Sequence, residues 1–250
     1  LALPIIDAGG VSVGNTDAVA VDELARERDQ AVYEAASQIF DLDGIPSVLG
    51  GDHSCPYGLI RAASERHLDF GILHIDAHAD LRDAYLGFES SHASIMHRAL
   101  TLPNVKRIVG VGYRDLGSAE IKRIATEPER LCVFPDHTIA YRLANGESWQ
   151  SIVDAICAAL PSQVHISFDI DGLDPSLCPN TGTPVPGGLS YREALVLLRS
   201  ISDRCTVVSF DLCEVAPGER GEWDANVGAR ILYKLAGCAA KSKLKHVTPS

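Results

Sequence analysis

Two acidic stretches, far apart in the chain, contain the side chains best suited to chemistry. The first holds Asp76, His78 and Asp80, and the second holds Asp169 and Asp171. Each follows an apolar run of the kind that forms a buried strand in a parallel sheet. Because alternate residues of a strand point to the same face, each stretch can bring its acids together at a strand end.

Acidic side chains cannot cluster away from water unless cations neutralise them. A further candidate ligand, His53, ends the run Gly-Gly-Asp-His, in which the glycines permit a sharp turn after another predicted strand. The sequence therefore predicts a metal site with these candidate ligands: His53, Asp76, His78, Asp80, Asp169 and Asp171. The set exceeds what one tetrahedral zinc needs and suits two ions that share carboxylates. Oxygen-rich ligation with some imidazole favours Mn²⁺, with Ni²⁺, Co²⁺ or Fe²⁺ as alternatives.

Two further residues are candidates for proton transfer or substrate binding beside the metals. A pair of ions roughly 3.5–4 Å apart makes hydroxide available near neutral pH, so we expect hydrolytic attack on a planar carbon. His92 is predicted to be a proton shuttle or general acid, with a surface histidine as the alternative. Glu214 follows a predicted strand and could bind a planar cation through paired hydrogen bonds, or form a structural ion pair. The other histidines, His74 and His165 among them, match no cluster and are predicted to be structural or surface residues.

The elements that must position these residues alternate between strand and helix. Apolar runs predict strands at 3–8, 45–49, 71–75, 106–111, 131–134, 164–168 and 206–210. Amphipathic spacing and capping signals predict helices at 17–41, 56–67, 92–100, 118–125, 149–160, 190–201 and 223–235. The alternation predicts a three-layer α/β/α fold with a mainly parallel sheet, whose site lies at the carboxyl ends of the strands. The basic, polar segment 241–250 is expected to be an exposed arm.

The composition of the chain limits the kinds of molecule that the protein is expected to bind. The chain has 250 residues and a net charge of -11, which suits one domain and a small cationic substrate and argues against nucleic acid. The seven cysteines form no C-x-x-C pair, and scattered free thiols favour the cytoplasm. No apolar run is long enough to cross a membrane, so no membrane role is expected.

Six motifs, in order, resemble the ureohydrolase family of arginases and agmatinases. They are GGDHS (50–54), DAHAD (76–80), SHAS (91–94), SFDIDGLDP (167–175), GTPVPGGLS (182–190) and DLCEVAP (211–217). The resemblance covers about residues 45–236 and implies an arginase-like fold with one ureohydrolase domain over 1–250. The family's N-terminal strand and glycine-rich stretch are not visible before Leu1.

The resemblance also implies a dimanganese enzyme that hydrolyses a guanidino compound to urea and an amine. One ion would be held by His53, Asp76, Asp80 and Asp169, and the other by Asp76, His78, Asp169 and Asp171. Asp80 would also orient the attacking hydroxide, and Glu214 would bind the guanidinium with support from Thr183. His92 would pass a proton to the leaving amine. A homo-oligomer, trimeric or hexameric, is implied too.

The substrate expected from the resemblance is agmatine, cleaved to putrescine in polyamine metabolism. The loop 81–91 lacks the asparagine-bearing pattern with which arginases grip the amino acid end of arginine. The run His-Ala-Ser at 92–94 is similar to the corresponding run of plant-type arginases, so arginine is kept as an alternative substrate. Guanidinobutyrate and formimidoylglutamate are alternatives on the same metals, and an inactive metal-binding relative is the non-enzyme alternative.

Overall fold

A six-stranded parallel sheet forms the centre of the molecule. The computed structural model describes residues 9–10, 21–218 and 221–245. Within these residues the strand order is β1-β6-β5-β2-β3-β4, and every pair is parallel. The strands are β1 (Ser47–Leu49), β2 (Phe70–Ile75), β3 (Val105–Val111), β4 (Leu131–Phe134), β5 (Gln163–Asp169) and β6 (Thr206–Cys213).

Helices cover both faces of this sheet. They are α1 (Val21–Asp41), α2 (Tyr57–Arg66), α3 (Ile95–Leu100), α4 (Ser118–Thr126), α5 (Asp136–Ala144), α6 (Trp149–Ala159), α7 (Tyr191–Arg204) and α8 (Trp223–Leu244). One core packs Leu73 and Ile166 against α6, α7 and α8, and a second packs Ile72 against α2 and α3. Every residue of β2 is buried, as expected for a strand covered on both sides. The predicted α/β/α architecture is confirmed.

The predicted strands at 45–49, 71–75, 106–111, 131–134, 164–168 and 206–210 are all present, with small differences at their ends. The predicted strand at 3–8 and the first residues of the predicted helix 17–41 lie outside the described residues. The prediction of one domain over 1–250 stays a prediction for the same reason. Among the described helices, none is long and apolar enough to cross a membrane.

Helix α5 was not expected from the sequence. Its one buried residue is Ile139, so it has little of the apolar periodicity that marks an amphipathic helix. The helix instead begins after Pro135, and its first residue, Asp136, accepts a hydrogen bond of 2.9 Å from the amide of Gly188. Helix α5 therefore holds the glycine- and proline-rich loop that follows β5.

The C-terminal prediction was wrong for residues 241–245, because α8 continues to Leu244 instead of ending near Leu235. Its buried Ser242 accepts a 3.0 Å hydrogen bond from the amide of Val207 and donates one of 2.8 Å to the carbonyl of Ala239. A buried backbone amide needs a hydrogen-bond acceptor, and Ser242 of α8 provides one for the amide of Val207. Residues 246–250 of the expected arm lie outside the described part of the chain.

Replacing Ser242 with alanine leaves the buried amide of Val207 without its partner. We expect Ser242→Ala to lower the free energy of unfolding by about 1–3 kcal/mol, measured by urea denaturation. The control is Lys241→Ala, which removes an exposed ion pair with Asp203 and should cost about 0–1 kcal/mol. Equal losses in the two variants would contradict this role for Ser242.

Candidate metal centre

Polar side chains occupy alternate positions on one face of the three neighbouring strands β2, β5 and β6. They are His74 and Asp76 at the end of β2, His165, Ser167 and Asp169 on β5, and Ser209, Asp211 and Cys213 on β6. In the sheet register, His74 lies beside Ser167, and Ser167 lies beside Asp211. The strands thus form a buried polar surface that ends at their carboxyl termini.

The first group of candidate ligands surrounds the ring of His53. The Nδ1 atom of His53 lies 3.0 Å from Oδ2 of Asp76, 3.4 Å from Oδ2 of Asp80 and 3.1 Å from Oδ2 of Asp169. All four side chains are buried. His53 comes from the loop after β1, so the group joins elements from three strands, β1, β2 and β5.

The second group surrounds His78. Its Nδ1 atom lies 3.4 Å from Oδ1 of Asp76 and 3.1 Å from Oδ2 of Asp171. Asp76 therefore belongs to both groups, with one oxygen towards each histidine. The side chain of His78 is 24% exposed and that of Asp76 is 1% exposed, so the second group lies nearer to solvent. The structure brings all the predicted ligands together.

The electrostatics of these groups require added positive charge. Burial and the neighbouring charge of Asp76 raise the pKa of the Asp80 and Asp169 carboxyl groups well above their usual range. Burial lowers the pKa of His78, but hydrogen bonds to Asp171 and Asp76 outweigh it and raise the value to about 11. Protons or cations must therefore balance the site. Carboxylate oxygens and imidazole nitrogens in two groups that share Asp76 fit two divalent ions.

Two site residues adopt the left-handed backbone region, at φ 53° for Asp80 and 62° for Glu214. Such strain in non-glycine residues is held by surrounding structure and concentrates at functional sites. The carbonyl of Asp80 accepts hydrogen bonds of 3.1 Å from the amides of Met96 and His97. The amide of Glu214 donates to the carbonyl of Gly51 at 2.8 Å. These contacts hold both carboxylates at the strand ends.

Glu214 lies beside the first group of ligands, where its Oε1 accepts a 2.8 Å hydrogen bond from the amide of His53. Burial raises the pKa of the Glu214 carboxyl group. Thr183 was expected to support Glu214, but its hydroxyl contacts Oδ2 of Asp171 at 3.3 Å. The hydroxyl that supports Glu214 is that of Thr181, which donates to its backbone carbonyl at 2.9 Å.

His92 is the first residue of a 3-10 turn (His92–Ser94). Its ring packs edge-on against Tyr85, with 5.4 Å between the ring centres. Together with Asp52 and Phe88, these residues line a cleft of about 310 Å³ whose other wall is the start of α1. The cleft therefore adjoins both His92 and the loop that carries His53, which contributes Asp52 and Ser54 to its wall.

His74 lies beside the first group of ligands, although it was predicted to be a structural or surface histidine. Its Nε2 lies 2.9 Å from Oδ2 of Asp76 without hydrogen-bond geometry, and its Nδ1 lies 2.6 Å from the hydroxyl of Tyr113. A Cβ at Gly110 would lie 2.3 Å from the Tyr113 ring, so this glycine makes room for the tyrosine. The available signal was spacing, because His74 precedes Asp76 by two residues and shares its face.

Arg114 was also missed. Its guanidinium donates to the carbonyl of Asp171 at 2.6 Å and to the carbonyl of Val185 at 3.0 Å. It therefore ties the loop of the second ligand group to the glycine- and proline-rich loop. No motif marks this arginine, since its partners are backbone atoms of distant loops.

Comparison with known proteins identifies the family to which the chain belongs. A model of the arginase family matches residues 2–237. An N(1)-aminopropylagmatine ureohydrolase of Thermus thermophilus is 37% identical over 86% of this chain and 69% of the relative. The mitochondrial agmatinase of Gallus gallus is 33% identical over 82% of this chain and 59% of its own. The arginase structure from Bacillus subtilis superposes with a TM-score of 0.78 and 25% identity over 92% of this chain and 83% of its own.

The paired ligand groups at the ends of a parallel sheet are therefore those of a binuclear metal hydrolase. The chain belongs to the arginase family and is a ureohydrolase.

The raised pKa values predict how pH acts on the metal-free protein. His53 and His78 hold protons in the folded state at pH values where unfolded histidines, near 6.5, have lost them. Their stabilising contribution is complete below about pH 6.5 and declines as pH rises towards the folded pKa. We expect the melting temperature of the chelated protein to fall between pH 7 and 9.

Over the same interval, metal ions meet less competition from protons. The gain in melting temperature on adding Mn²⁺ should therefore grow from pH 7 to pH 9 in differential scanning fluorimetry. A gain that shrinks or stays constant over this range would contradict the interpretation of the cluster as a cation site.

Proposed function

We propose that this protein hydrolyses the guanidino group of agmatine, releasing urea and putrescine. The observation that carries the proposal is the shared position of Asp76 between two ligand groups, with the Glu214 carboxylate next to the first. One region thus offers two cation positions and an acid suited to a guanidinium. The similarity to agmatine and aminopropylagmatine ureohydrolases supports the same chemistry.

Glu214 would hold the substrate. A guanidinium is planar and presents parallel N–H groups, which a carboxylate accepts in pairs. One oxygen of Glu214 is already anchored by the amide of His53, and the carboxylate adjoins Gly182, where an added Cβ would lie 3.6 Å from Oε2. This anchoring would place the central guanidino carbon next to the first group of metal ligands, which surrounds His53.

The ions would be held by His53, Asp76, Asp80 and Asp169 on one side and by Asp76, His78, Asp169 and Asp171 on the other. When bound, they supply the positive charge that makes water a nucleophile near neutral pH. Asp80 would accept a hydrogen bond from the attacking water and orient it. Manganese is the proposed ion, since oxygen donors predominate.

His92 would complete the reaction at the mouth of the site. As the carbon–nitrogen bond breaks, the departing amine needs a proton, and an imidazole can supply one near neutral pH. The position of His92 on the wall of the cleft suits transfer to an amine that leaves through the cleft.

The cleft suggests what kind of tail the substrate carries. Its walls include the apolar side chains of Leu24, Tyr85 and Phe88, which suit a methylene chain. The charged lining residues include Asp52 and Arg28, and Arg28 pairs at 2.8 Å with Asp29, which also pairs with Arg98 at 2.6 Å. Such a cleft suits an aliphatic tail, and the choice of an amine at its end is supported by the similarity to agmatine and aminopropylagmatine ureohydrolases.

A second candidate substrate is N(1)-aminopropylagmatine. It is favoured by the 37% identity to the Thermus thermophilus enzyme that is named for it. It carries the same guanidino group on a longer amine tail, so the proposed roles of Glu214 and His92 are unchanged. The scattered free cysteines support a cytoplasmic location, and we propose a homo-oligomer from the family resemblance.

A substrate panel tests the proposal. With Mn²⁺, we expect urea release to be fastest from agmatine or N(1)-aminopropylagmatine and slower from arginine and 4-guanidinobutyrate. Formamide release from formimidoylglutamate would indicate a different member of the family. Failure to release urea from any guanidino compound, in protein that has bound two ions, would overturn the proposal.

Removing the charge of Glu214 should weaken substrate capture without removing the metals. Since hydrogen bonds to charged groups contribute about 1.5–3 kcal/mol, Glu214→Gln should lower kcat/KM roughly 10- to 150-fold. The matched control is Glu129→Gln, at a side chain that is 93% exposed, and it should leave the rate unchanged. Loss of bound manganese in Glu214→Gln would show that this residue acts on the metals instead.

A further inference from the structure

A buried carboxylate lies behind His53, on the side away from the other ligands. Asp211, on β6, is fully buried, and its Oδ1 is 3.6 Å from Nε2 of His53. Ser167 lies between them: its Oγ is 2.8 Å from Nε2 of His53, and its hydroxyl donates to Oδ1 of Asp211 at 3.3 Å. The metal-facing atom of His53 is the opposite nitrogen, Nδ1.

The other oxygen of Asp211 is held by a second buried histidine. Nε2 of His165 lies 2.7 Å from Oδ2 of Asp211, and Nδ1 of His165 lies 2.8 Å from the hydroxyl of Ser209. Among the described ion pairs, Asp211 pairs with histidines and with no lysine or arginine. Burial would raise the pKa of Asp211, but hydrogen bonds to His165 and His53 lower it below its ordinary range.

These contacts allow one consistent assignment of protons. Ser209 donates to Nδ1 of His165, and Nε2–H of His165 donates to Asp211. Ser167 also donates to Asp211, and therefore accepts a hydrogen bond from Nε2–H of His53. With its proton on Nε2, His53 has a lone pair on Nδ1, directed to the oxygens of Asp76 and Asp169. This assignment applies with a cation beside Nδ1, and both imidazoles are then neutral. Without a cation, His53 also holds a proton on Nδ1, which Asp76 accepts.

We propose that Asp211, held by His165 and acting through Ser167, is a positioning residue that determines how tightly the ion on the His53 side is bound. The buried negative charge fixes the tautomer and ring orientation of His53 and makes its Nδ1 a stronger donor. The proposal rests on the metal site assigned under the proposed function. It concerns one of the two ions, because the network contacts His53 and has no contact with His78 among the described residues.

The test measures metal binding and does not depend on turnover. Metal-free protein is titrated with Mn²⁺ by equilibrium dialysis, with protein-bound metal quantified at each concentration. Asp211→Asn keeps the shape of the side chain and removes its charge. We expect the affinity for one ion to fall about 10- to 100-fold while the other is held as in the unchanged protein.

Two further variants separate positioning from general damage to the fold. Ser167→Ala should give a smaller loss at the same ion, since Nε2 of His53 then faces Asp211 directly across 3.6 Å. Asp224→Asn removes another buried carboxylate, one that accepts hydrogen bonds from Asn180, and should leave both affinities unchanged. The melting temperature of each metal-free variant is recorded alongside.

Unchanged affinities for both ions in Asp211→Asn and Ser167→Ala would overturn the proposal. So would an equal loss at both ions that follows the fall in melting temperature, as expected of a purely structural residue. If Asp211→Asn does not fold, Ser167→Ala decides the matter alone. Absence of paired metal binding in the unchanged protein would instead count against the proposed function, so the two failures are distinguishable.

Discussion

Repulsion between buried carboxylates is the constraint on which the rest of the structure depends. Asp76, Asp80 and Asp169 all present oxygens within 3.4 Å of one histidine nitrogen. Such proximity is unfavourable unless cations or protons lie among the acids, so the fold must supply strong forces that hold them there. It does so with strands that are buried on both faces and with backbone contacts that hold Asp80 and Glu214 in a strained conformation.

The order of the strands determines which side chains can cooperate. Strands β2, β5 and β6 are distant in the sequence and adjacent in the sheet, and their carboxyl ends meet at one edge. The polar face they share forms three levels: hydrogen-bonded pairs such as His165 and Ser209 lie deepest, Ser167 and Asp211 come next, and the ligands lie at the edge. A metal site of this kind gains its rigidity from the sheet below it.

Much of this could be predicted from the sequence, for a physical reason. Buried parallel strands appear in the sequence as apolar runs, and the ligands that follow them fall into short motifs. The sheet and the cluster around Asp76 could therefore both be predicted from the sequence. What escaped prediction depends on contacts between distant segments. Helix α5 has a single buried residue, and Ser242 is polar yet faces a strand. Likewise, Arg114 bonds to backbone carbonyls of remote loops, and Thr183 contacts Asp171 where it was expected beside Glu214.

The unequal exposure of the two histidines has a kinetic consequence. His53 is 1% exposed, whereas His78 is 24% exposed, and Asp76 joins their two groups. An ion held beside His78 would therefore lie closer to solvent than one held beside His53. With both positions filled, exchange with the medium would be faster for the outer ion than for the inner one.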